Sequence, residues 1–382
     1  MSSPSTPGKT AVKSMIYDEK NGTLKILDQL ALPSQTVWMD VNGVDDGWNA
    51  IKKMHVRGAP AIAIVGLLSL AVELHRLELS KFVDVRQLAD WIEAKLQYLL
   101  TSRPTAVNLT NECQAAQCII EDHVKNDDAP AQLVKTLIKF AEDLLVLDAK
   151  INLDLSEHGA QWITDYNEDE QVNILTICNT GSLATAGVGT ALGVIRSLHS
   201  RNALKHVYFL ETRPHLQGAR LTAYELFHEN IPATLICDSA AAWLMKTEKI
   251  HAVIAGCDHV TANGDTANKI GTYMLAVLAK HHNVPFYVAK PTRTFNPREE
   301  SGSTIKIEQR HAGEVTHVKT SDGNSIAISV EGVSVWNPAF DVTPASLVTG
   351  GFITEHGVLP ATDLKRAHSS GWKLEELRLN DS

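Results

Sequence analysis

The sequence predicts an α/β protein in which a Rossmann-like parallel sheet, with helices on both faces, follows a smaller and mainly helical N-terminal domain with a short β meander. Three observations support this class. The chain has 382 residues, more than one hydrophobic core usually holds. Apolar residues over the first 160 positions recur mostly at helical spacing. From about residue 173, short β-rich runs alternate with helix-like segments, which is the pattern of βαβ units.

Composition excludes two classes of protein. The chain is 44% hydrophobic and 21% charged, with a net charge of −9, which argues against a general nucleic-acid binder. Its longest apolar run, 59–72, is shorter than the roughly 20 residues that span a bilayer. Residues 1–14 lack the apolar core of a signal peptide and are expected to form a disordered tail. The five cysteines follow no small-scaffold pattern and are expected to be reduced thiols.

The predicted N-terminal domain covers residues 15–160. Its meander is expected to use strands at 24–32 and 37–40. Proline fits the first turn of a helix, so Pro60 is expected to start an apolar helix. Pro104 disfavours helical geometry at the residue before it and therefore ends a helix. Helices are predicted at 43–74 with a break at 57–60, at 85–100, at 109–123 and at 129–158.

The predicted catalytic domain covers residues 161–365, and residues 366–382 are expected to form a peripheral tail. A β excursion is expected at 302–332, and residues 337–351 are expected to close the sheet. The parallel strands are predicted at 174–179, 206–211, 233–238, 252–258 and 285–290.

Functional-type side chains end each of these strands. Open α/β sheets bind ligands beyond the carboxyl ends of their strands, so these residues are candidates for a site. They are Cys178, Glu211, Asp238, Asp258 and Lys290.

Cys178 opens the turn Cys-Asn-Thr-Gly-Ser-Leu-Ala-Thr, residues 178–185, which leads from a strand into a helix. The backbone N–H groups of such a turn and the following helix N-terminus can receive an anion. The same field favours the thiolate of Cys178. The alternative is that Cys178 is a small buried hydrophobe in the strand.

Asp258 follows the apolar run Ile254-Ala-Gly-Cys257 and precedes a loop of small and polar residues predicted to reach Gly271. A poorly solvated carboxyl group can stay protonated near neutral pH and act as a general acid. The alternative is an Asx cap for the loop. Asn263 and Asp265 are expected to form the turn within it.

Three basic residues are candidate phosphate ligands. Arg57 and Arg103 lie in predicted loops beside a glycine or a proline, and arginine binds phosphate with two N–H groups. Lys269 can add a point charge. A solvated surface role is the alternative for each. Gln217 can orient a sugar hydroxyl or cap a helix.

Two cofactor sites are not expected. The glycines at 187, 189 and 193 have the spacing GxGxxxG and lie inside a predicted helix, so close helix packing explains them better than nicotinamide binding. Cys257 and His259 have no partner pair at zinc spacing, so no metal site is expected.

Six motifs together resemble the methylthioribose-1-phosphate isomerases, relatives of the regulatory subunits of the translation-initiation guanine-nucleotide exchange factor and of ribose-1,5-bisphosphate isomerase. One departure is that the family often has Gly-Ala-Asp-Arg where this chain has Gly256-Cys-Asp-His259. The acid is kept, but a neighbouring arginine is missing, which alters how Asp258 is held. The motifs occupy residues 56–62, 102–105 with 108–109, 178–185, 211–222, 263–273 and 337–344.

The resemblance implies a step of methionine salvage, a route of amino-acid biosynthesis, in which the aldose 5-methylthioribose 1-phosphate becomes the ketose 5-methylthioribulose 1-phosphate. It implies that Asp258 is the proton donor and that Cys178 supports the transition state. It also implies a homodimer without a cofactor, located in the cytoplasm, with nuclear presence also compatible. The implied substrate contacts are Arg57, Gly58, Ala59, Arg103, Gln217, Asn268 and Lys269.

Two other functions stay open. A regulatory subunit of the exchange-factor type shares the fold but is expected to lack the pair Cys178 and Asp258. A ribose-1,5-bisphosphate isomerase needs another cationic site at C5, whereas a methylthio group needs an apolar pocket that the sequence does not assign. The hydrogen transfer from C2 to C1 is also open, because it can proceed through a proton relayed by Cys178 or as a hydride.

Overall fold

The structure, a computed structural model, describes residues 11–103, 107–320 and 324–373. Predictions for residues 1–10, Pro104, residues 321–323 and residues 374–382 lie outside the described residues. Described residues within 12–151 and 182–189 form one compact unit, here called the helical unit, and the others form the sheet unit. The domain limit predicted between residues 160 and 161 falls inside one long helix, α5 (Pro130–Tyr166), and stays a prediction.

The helical unit contains the predicted meander, an antiparallel sheet of β1 (Met15–Asp18), β2 (Thr23–Leu27) and β3 (Trp38–Val41). Its helices, within the described residues, are α1 (Val44–Lys52), α2 (Ala59–His75), α3 (Val85–Leu100), α4 (Val107–Lys125) and the first part of α5.

Local signals explain two of these helices. Pro60 lies in the first turn of α2, as predicted. The Asp84 side chain caps α3 by accepting the Gln87 N–H at 2.9 Å. Helix α2 is apolar on all sides because it runs through the centre of the core of this unit. Among the described residues, no helix is both long and apolar enough to cross a membrane.

The strands of the sheet unit, in chain order and within the described residues, are β4 (Val172–Thr176), β5 (Leu204–Leu210), β6 (Ala233–Ile236), β7 (Ala252–Ala255), β8 (His259–Thr261), β9 (Thr266–Lys269), β10 (Phe286–Ala289), β11 (Phe295–Asn296), β12 (His317–Lys319), β13 (Ser325–Ala327), β14 (Phe340–Thr343), β15 (Gly351–Thr354) and β16 (Gly357–Leu359). Its helices are the rest of α5, then α6 (Ala191–Ser200), α7 (Ala223–His228), α8 (Ala241–Thr247), α9 (Thr272–His281), α10 (Gly313–Thr316) and α11 (Leu364–Ser369).

The main sheet has, among the described residues, the order β16-β15-β10-β7-β4-β5-β6. Its strands are parallel except for β16. Alternate residues of one strand enter different cores: Val253 packs with α8, α9 and α11, whereas Ile254 packs with α5, α6 and α7. Burial on both faces explains why the strands read as continuous apolar runs. The predicted fold class is confirmed.

A second sheet corrects two predictions. The segment after Asp258 was expected to be a loop, but β8 and β9 form a hairpin there, in a sheet of order β11-β8-β9-β14. Residues 337–341 were expected to close the main sheet, but β14 pairs with β9, and β15 joins the main sheet instead. These strands are short and polar, and β9 and β14 are about 70 residues apart, so local sequence carries little sign of their pairing.

The glycine prediction at residues 187–193 is also wrong in part. Helix α6 begins at Ala191, so Gly187 and Gly189 lie in the loop before it, with φ of 132° and 91°. Positive φ angles, not close helix packing, account for these two glycines. The predicted β excursion at 302–332 contains the hairpin of β12 and β13.

Candidate active site

The carboxyl ends of the parallel strands place five polar residues at one edge of the main sheet. Strands β4 and β7 are hydrogen-bonded neighbours. A Cβ on Gly256 would lie 2.8 Å from the Thr180 side chain, so the segments that follow β4 and β7 are in contact. The residues just beyond the strands are Cys178, Thr212, Asp238, Asp258 and Lys290.

Cys178 lies beyond β4, whose last residue is Thr176, with its backbone in the left-handed region at φ 65°. Its side chain is 6% exposed. The Cys178 N–H donates to Thr212 Oγ1 at 2.9 Å, and its carbonyl accepts from Thr222 Oγ1 at 2.6 Å. A hydrophobe inside a strand needs none of this, so the backbone geometry favours a functional role for Cys178.

A buried ion pair supports the turn after Cys178. Asn179 Nδ2 donates to Glu225 Oε1 at 2.7 Å, and Arg196 donates to Glu225 Oε2 at 2.6 Å. A Cβ at Gly181 would lie 2.2 Å from Glu225, so only glycine fits there. The Thr180 hydroxyl accepts the Leu192 N–H of α6 at 3.2 Å, so part of the predicted anion-receiving helix end is already capped.

Asp258 is half-buried at the start of the β8–β9 hairpin, where its N–H donates to Ala267 O at 3.0 Å. The Asx cap of this hairpin belongs to Asn263, whose Oδ1 accepts the Asp265 N–H at 3.0 Å, as the predicted turn requires. Among the described residues, the Asp258 carboxylate makes no hydrogen bond. Asp258 is therefore not used as a structural cap.

The neighbours of Asp258 are otherwise occupied. Burial raises the pKa of the Cys257 thiol to about 12, so this thiol stays neutral. His259, which replaces the arginine common in the resembling proteins, has its Nε2 2.7 Å from the Glu299 carboxylate. Its imidazole thus pairs with Glu299, and the Asp258 backbone is held by β9.

Asn268 and Lys269 lie on β9 and are buried, so they belong to a strand and not to the predicted loop. Asn268 Nδ2 donates to Thr272 Oγ1 at 2.9 Å, and Lys269 Nζ donates to Ala339 O at 3.1 Å. Asp341 accepts the Gly271 N–H at 2.7 Å, and burial raises its pKa to about 6. The turn between β9 and α9 is therefore rigidly held beside the candidate acid.

Gln217 is 6% exposed, and its Oε1 has no hydrogen-bond partner among the described residues. It precedes a short π-helix, Gly218–Thr222, without capping it through its side chain. A Cβ at Gly218 would lie 1.7 Å from Leu210 O, so glycine is required there. The cap interpretation is not supported, and the buried acceptor fits a ligand contact.

The helical unit holds the other predicted contacts. Gly58, with φ of 100°, immediately precedes α2, and Ala59 is the first residue of that helix. A Cβ at Gly58 would lie 2.4 Å from Ala184 O, which explains the glycine. Arg57 and Arg103 are half-buried, unlike fully solvated surface residues. A helix N-terminus next to an arginine suits a phosphate group.

A comparison with known proteins agrees with these features. The model of the Initiation factor 2 subunit family matches residues 55–361. The chain belongs to this family. The predicted resemblance is confirmed, since a protein named methylthioribose-1-phosphate isomerase from Populus trichocarpa is 49% identical over 358 residues, covering 94% of each chain.

Solved structures of the initiation factor 2 subunit family have the same fold. A 5-methylthioribose 1-phosphate isomerase from Pyrococcus horikoshii OT3 is 36% identical, with a TM-score of 0.83 over 96% of this chain and 97% of that one. A translation initiation factor, subunit delta, from A. fulgidus is also 36% identical, with a TM-score of 0.77 over 92% and 96% of the two chains. The family therefore contains proteins of more than one named kind.

This family member also buries a cation whose burial the sequence did not reveal. Lys290 is 0% exposed, and its Nζ has no hydrogen-bond partner among the described residues. The ammonium lies 4.9 Å from the ring centroid of Trp372 and 5.0 Å from that of Phe295. Burial lowers the pKa of Lys290 to about 8.

Lys290→Met is expected to raise the free energy of unfolding at pH 7 by about 2–3 kcal/mol, because each unit of pKa shift is worth ~1.4 kcal/mol. The unfolded chain binds more protons than the folded one between pH 8 and 10.5. Wild-type stability therefore rises relative to the variant across that window. Urea unfolding at several pH values measures the difference. The exposed Lys280→Met is the control, and a pH-independent difference would contradict the argument.

Proposed function

We propose that the protein is an aldose–ketose isomerase that converts 5-methylthioribose 1-phosphate to 5-methylthioribulose 1-phosphate, a step of methionine salvage. The observation that carries the proposal is the 49% identity to a named isomerase over 94% of each chain. The arrangement of a thiol and an acid at adjacent strand ends supports it.

The chemistry of this substrate explains why an acid is needed. Its C1 carries a phosphate ester, so the sugar cannot open spontaneously to a free aldehyde. Asp258 donates a proton to the ring oxygen as the bond from C1 to that oxygen breaks, and C1 gains oxocarbenium character. The Asp258 carboxylate has no structural hydrogen bond to lose in this step.

Hydrogen must then move from C2 to C1. In one route it migrates with its electron pair, and the C2 hydroxyl returns a proton to Asp258 as the carbonyl forms. In the other, the Cys178 thiolate removes it as a proton, an enol-type intermediate forms, and the thiol returns the proton to C1. Both routes restore the side chains to their starting states, and the proposal covers both.

Substrate binding is proposed for the remaining predicted residues. The orphaned Gln217 Oε1 accepts from a sugar hydroxyl. Asn268 and Lys269 hold the sugar and its phosphate from β9. Arg57, Gly58, Ala59 and Arg103 are proposed to contact the phosphate group, since arginine and a helix N-terminus both favour anions. The list of proposed catalytic and binding residues is Cys178, Asp258, Arg57, Gly58, Ala59, Arg103, Gln217, Asn268 and Lys269.

A side-by-side assay tests the function. Purified protein is incubated with methylthioribose 1-phosphate and, separately, with ribose 1,5-bisphosphate, and ketose formation is followed by phosphorus NMR. We expect kcat/KM to be at least about 100-fold higher for the methylthio sugar, because an apolar pocket rejects a charged phosphate. Preference for the bisphosphate would favour the related isomerase. Folded protein that turns over neither sugar would favour a regulatory subunit.

Assembly and location are proposed on the same family basis. We infer a homodimer, which light scattering of the purified protein checks as twice the chain mass. We also infer a cytoplasmic location, with nuclear presence compatible. Imaging of the tagged full-length chain checks this.

A further inference from the structure

The backbone around Cys178 is strained in a way that the reaction chemistry alone does not explain. Cys178 and Thr212, at the ends of neighbouring strands β4 and β5, both adopt left-handed backbone conformations, with φ of 65° and 64°. For a non-glycine residue this costs on the order of 1–3 kcal/mol, and a β-branched threonine adopts it rarely. Two such residues joined by a hydrogen bond therefore need a common reason.

Helix ends do not supply that reason. Other left-handed residues of the described chain, such as Asn202, Asn230 and Asn283, closely follow α6, α7 and α9. Asparagine tolerates this conformation and commonly ends helices in it. Cys178 and Thr212 instead follow buried strands, where glycine would make a turn at lower cost.

A relay of hydrogen bonds holds both residues in place. The Asp238 carboxylate, beyond β6, accepts the Thr212 N–H at 2.8 Å and the Arg213 N–H at 2.7 Å. The Thr212 hydroxyl donates to Leu210 O at 3.1 Å and accepts the Cys178 N–H at 2.9 Å. Each link uses a side chain from the next strand of the sheet, so the relay runs from β6 through β5 to β4.

The other side of Cys178 is fixed as well. The Thr222 hydroxyl, at the end of the π-helix, donates to the Cys178 carbonyl at 2.6 Å. Thr212 is 0% exposed and Thr222 is 1% exposed, so water does not compete for these bonds. Both peptide groups of Cys178 are thus held by buried hydroxyls, which fixes the direction of its Cα–Cβ bond.

We propose that Thr212, held by Asp238 and assisted by Thr222, is a positioning residue that keeps the Cys178 backbone left-handed and so aims the thiol at the reacting carbon. The proposal deepens the isomerase function and rests on it for its kinetic part. Thr212 acts only through Cys178 and does not touch the substrate. Its removal should therefore affect the chemical step more than substrate binding.

Thr212→Val tests this, because it removes the hydroxyl while keeping the branched shape. We expect kcat to fall at least about tenfold with KM within twofold, since small misplacements of a reacting group cost large factors. Thr212→Ser keeps the hydroxyl and is expected to return kcat to within about threefold of wild type. Thr234→Val is the matched control, since its hydroxyl bonds only to His206 at the exposed edge of the sheet.

A second readout does not depend on the isomerase function. The rate at which methyl methanethiosulfonate modifies Cys178 is measured by mass spectrometry, with the exposed Cys118 as internal reference. In Thr212→Val that ratio is expected to change at least threefold, with rescue in Thr212→Ser. If Thr212→Val does not fold, Thr222→Val is measured in the same way.

The outcomes separate the two hypotheses. A changed thiol ratio with rescue, in a protein that turns over no sugar, supports the positioning role and overturns the isomerase function. An unchanged ratio together with unchanged kcat in Thr212→Val overturns the positioning role. Equal losses in Thr212→Val and Thr212→Ser, or a loss confined to KM, also overturn it.

Discussion

Asp258→Asn is expected to lower kcat for methylthioribose 1-phosphate by about 10³-fold, with KM changed by less than about threefold. A positioned general acid contributes roughly 10²–10⁴-fold, and the amide of asparagine cannot donate a proton to the ring oxygen. The fold should tolerate the change, because the Asp258 carboxylate makes no hydrogen bond among the described residues. Steady-state kinetics with thermal unfolding of the same samples measures both effects.

Asp265→Asn is the matched control, since it changes an acid of the same hairpin that serves structure. Its carboxylate accepts the Gly302 and Ala345 N–H groups at 2.9 Å and 3.0 Å. This control is expected to lower Tm while leaving kcat within about threefold. Full turnover by Asp258→Asn would show that another group protonates the sugar.

Cys178→Ala is expected to lower kcat by about 100-fold or more, because the transition state loses the thiol that faces the migrating hydrogen. Cys178→Ser should recover little, since a hydroxyl at this position is a far weaker acid than a thiol. The loss should appear in kcat and not in KM, because the proposed substrate contacts are made by other residues.

Cys257→Ala is the control for the Cys178 variants. Cys257 precedes Asp258 directly, and burial keeps its thiol neutral by raising the pKa to about 12. Its removal is expected to change kcat by less than about threefold and to cost some stability through the space it leaves. Equal losses in Cys257→Ala and Cys178→Ala would assign both effects to packing.

The main sheet was predictable because its physics is local. Strands buried on both faces must be apolar throughout, so β4 and β7 stand out in the sequence. The hairpin of β8 and β9 was not, because Thr266–Lys269 forms a strand only through its pairing with Phe340–Thr343. Such pairing adds nothing to the local pattern of either segment.

The candidate site was predictable to the level of strand ends. Parallel strands finish at one edge, so a thiol and an acid at two such ends can be placed near each other without a structure. The left-handed backbone of Cys178 and Thr212 could not be predicted, because neither is a glycine or asparagine. The burial of Lys290 was equally hidden, since it depends on rings contributed by Phe295 and Trp372.

The central claim is that Cys178 and Asp258 serve a single reacting centre, and a double-variant cycle tests it most directly. The quantity measured is kcat/KM for wild type, Asp258→Asn, Cys178→Ala and the combined variant. Groups that act together in one step give strongly non-additive losses. We therefore expect the combined variant to be within about tenfold of Asp258→Asn alone. A combined loss equal to the product of the two single losses would mean that the two residues act independently, and the proposed mechanism would be wrong.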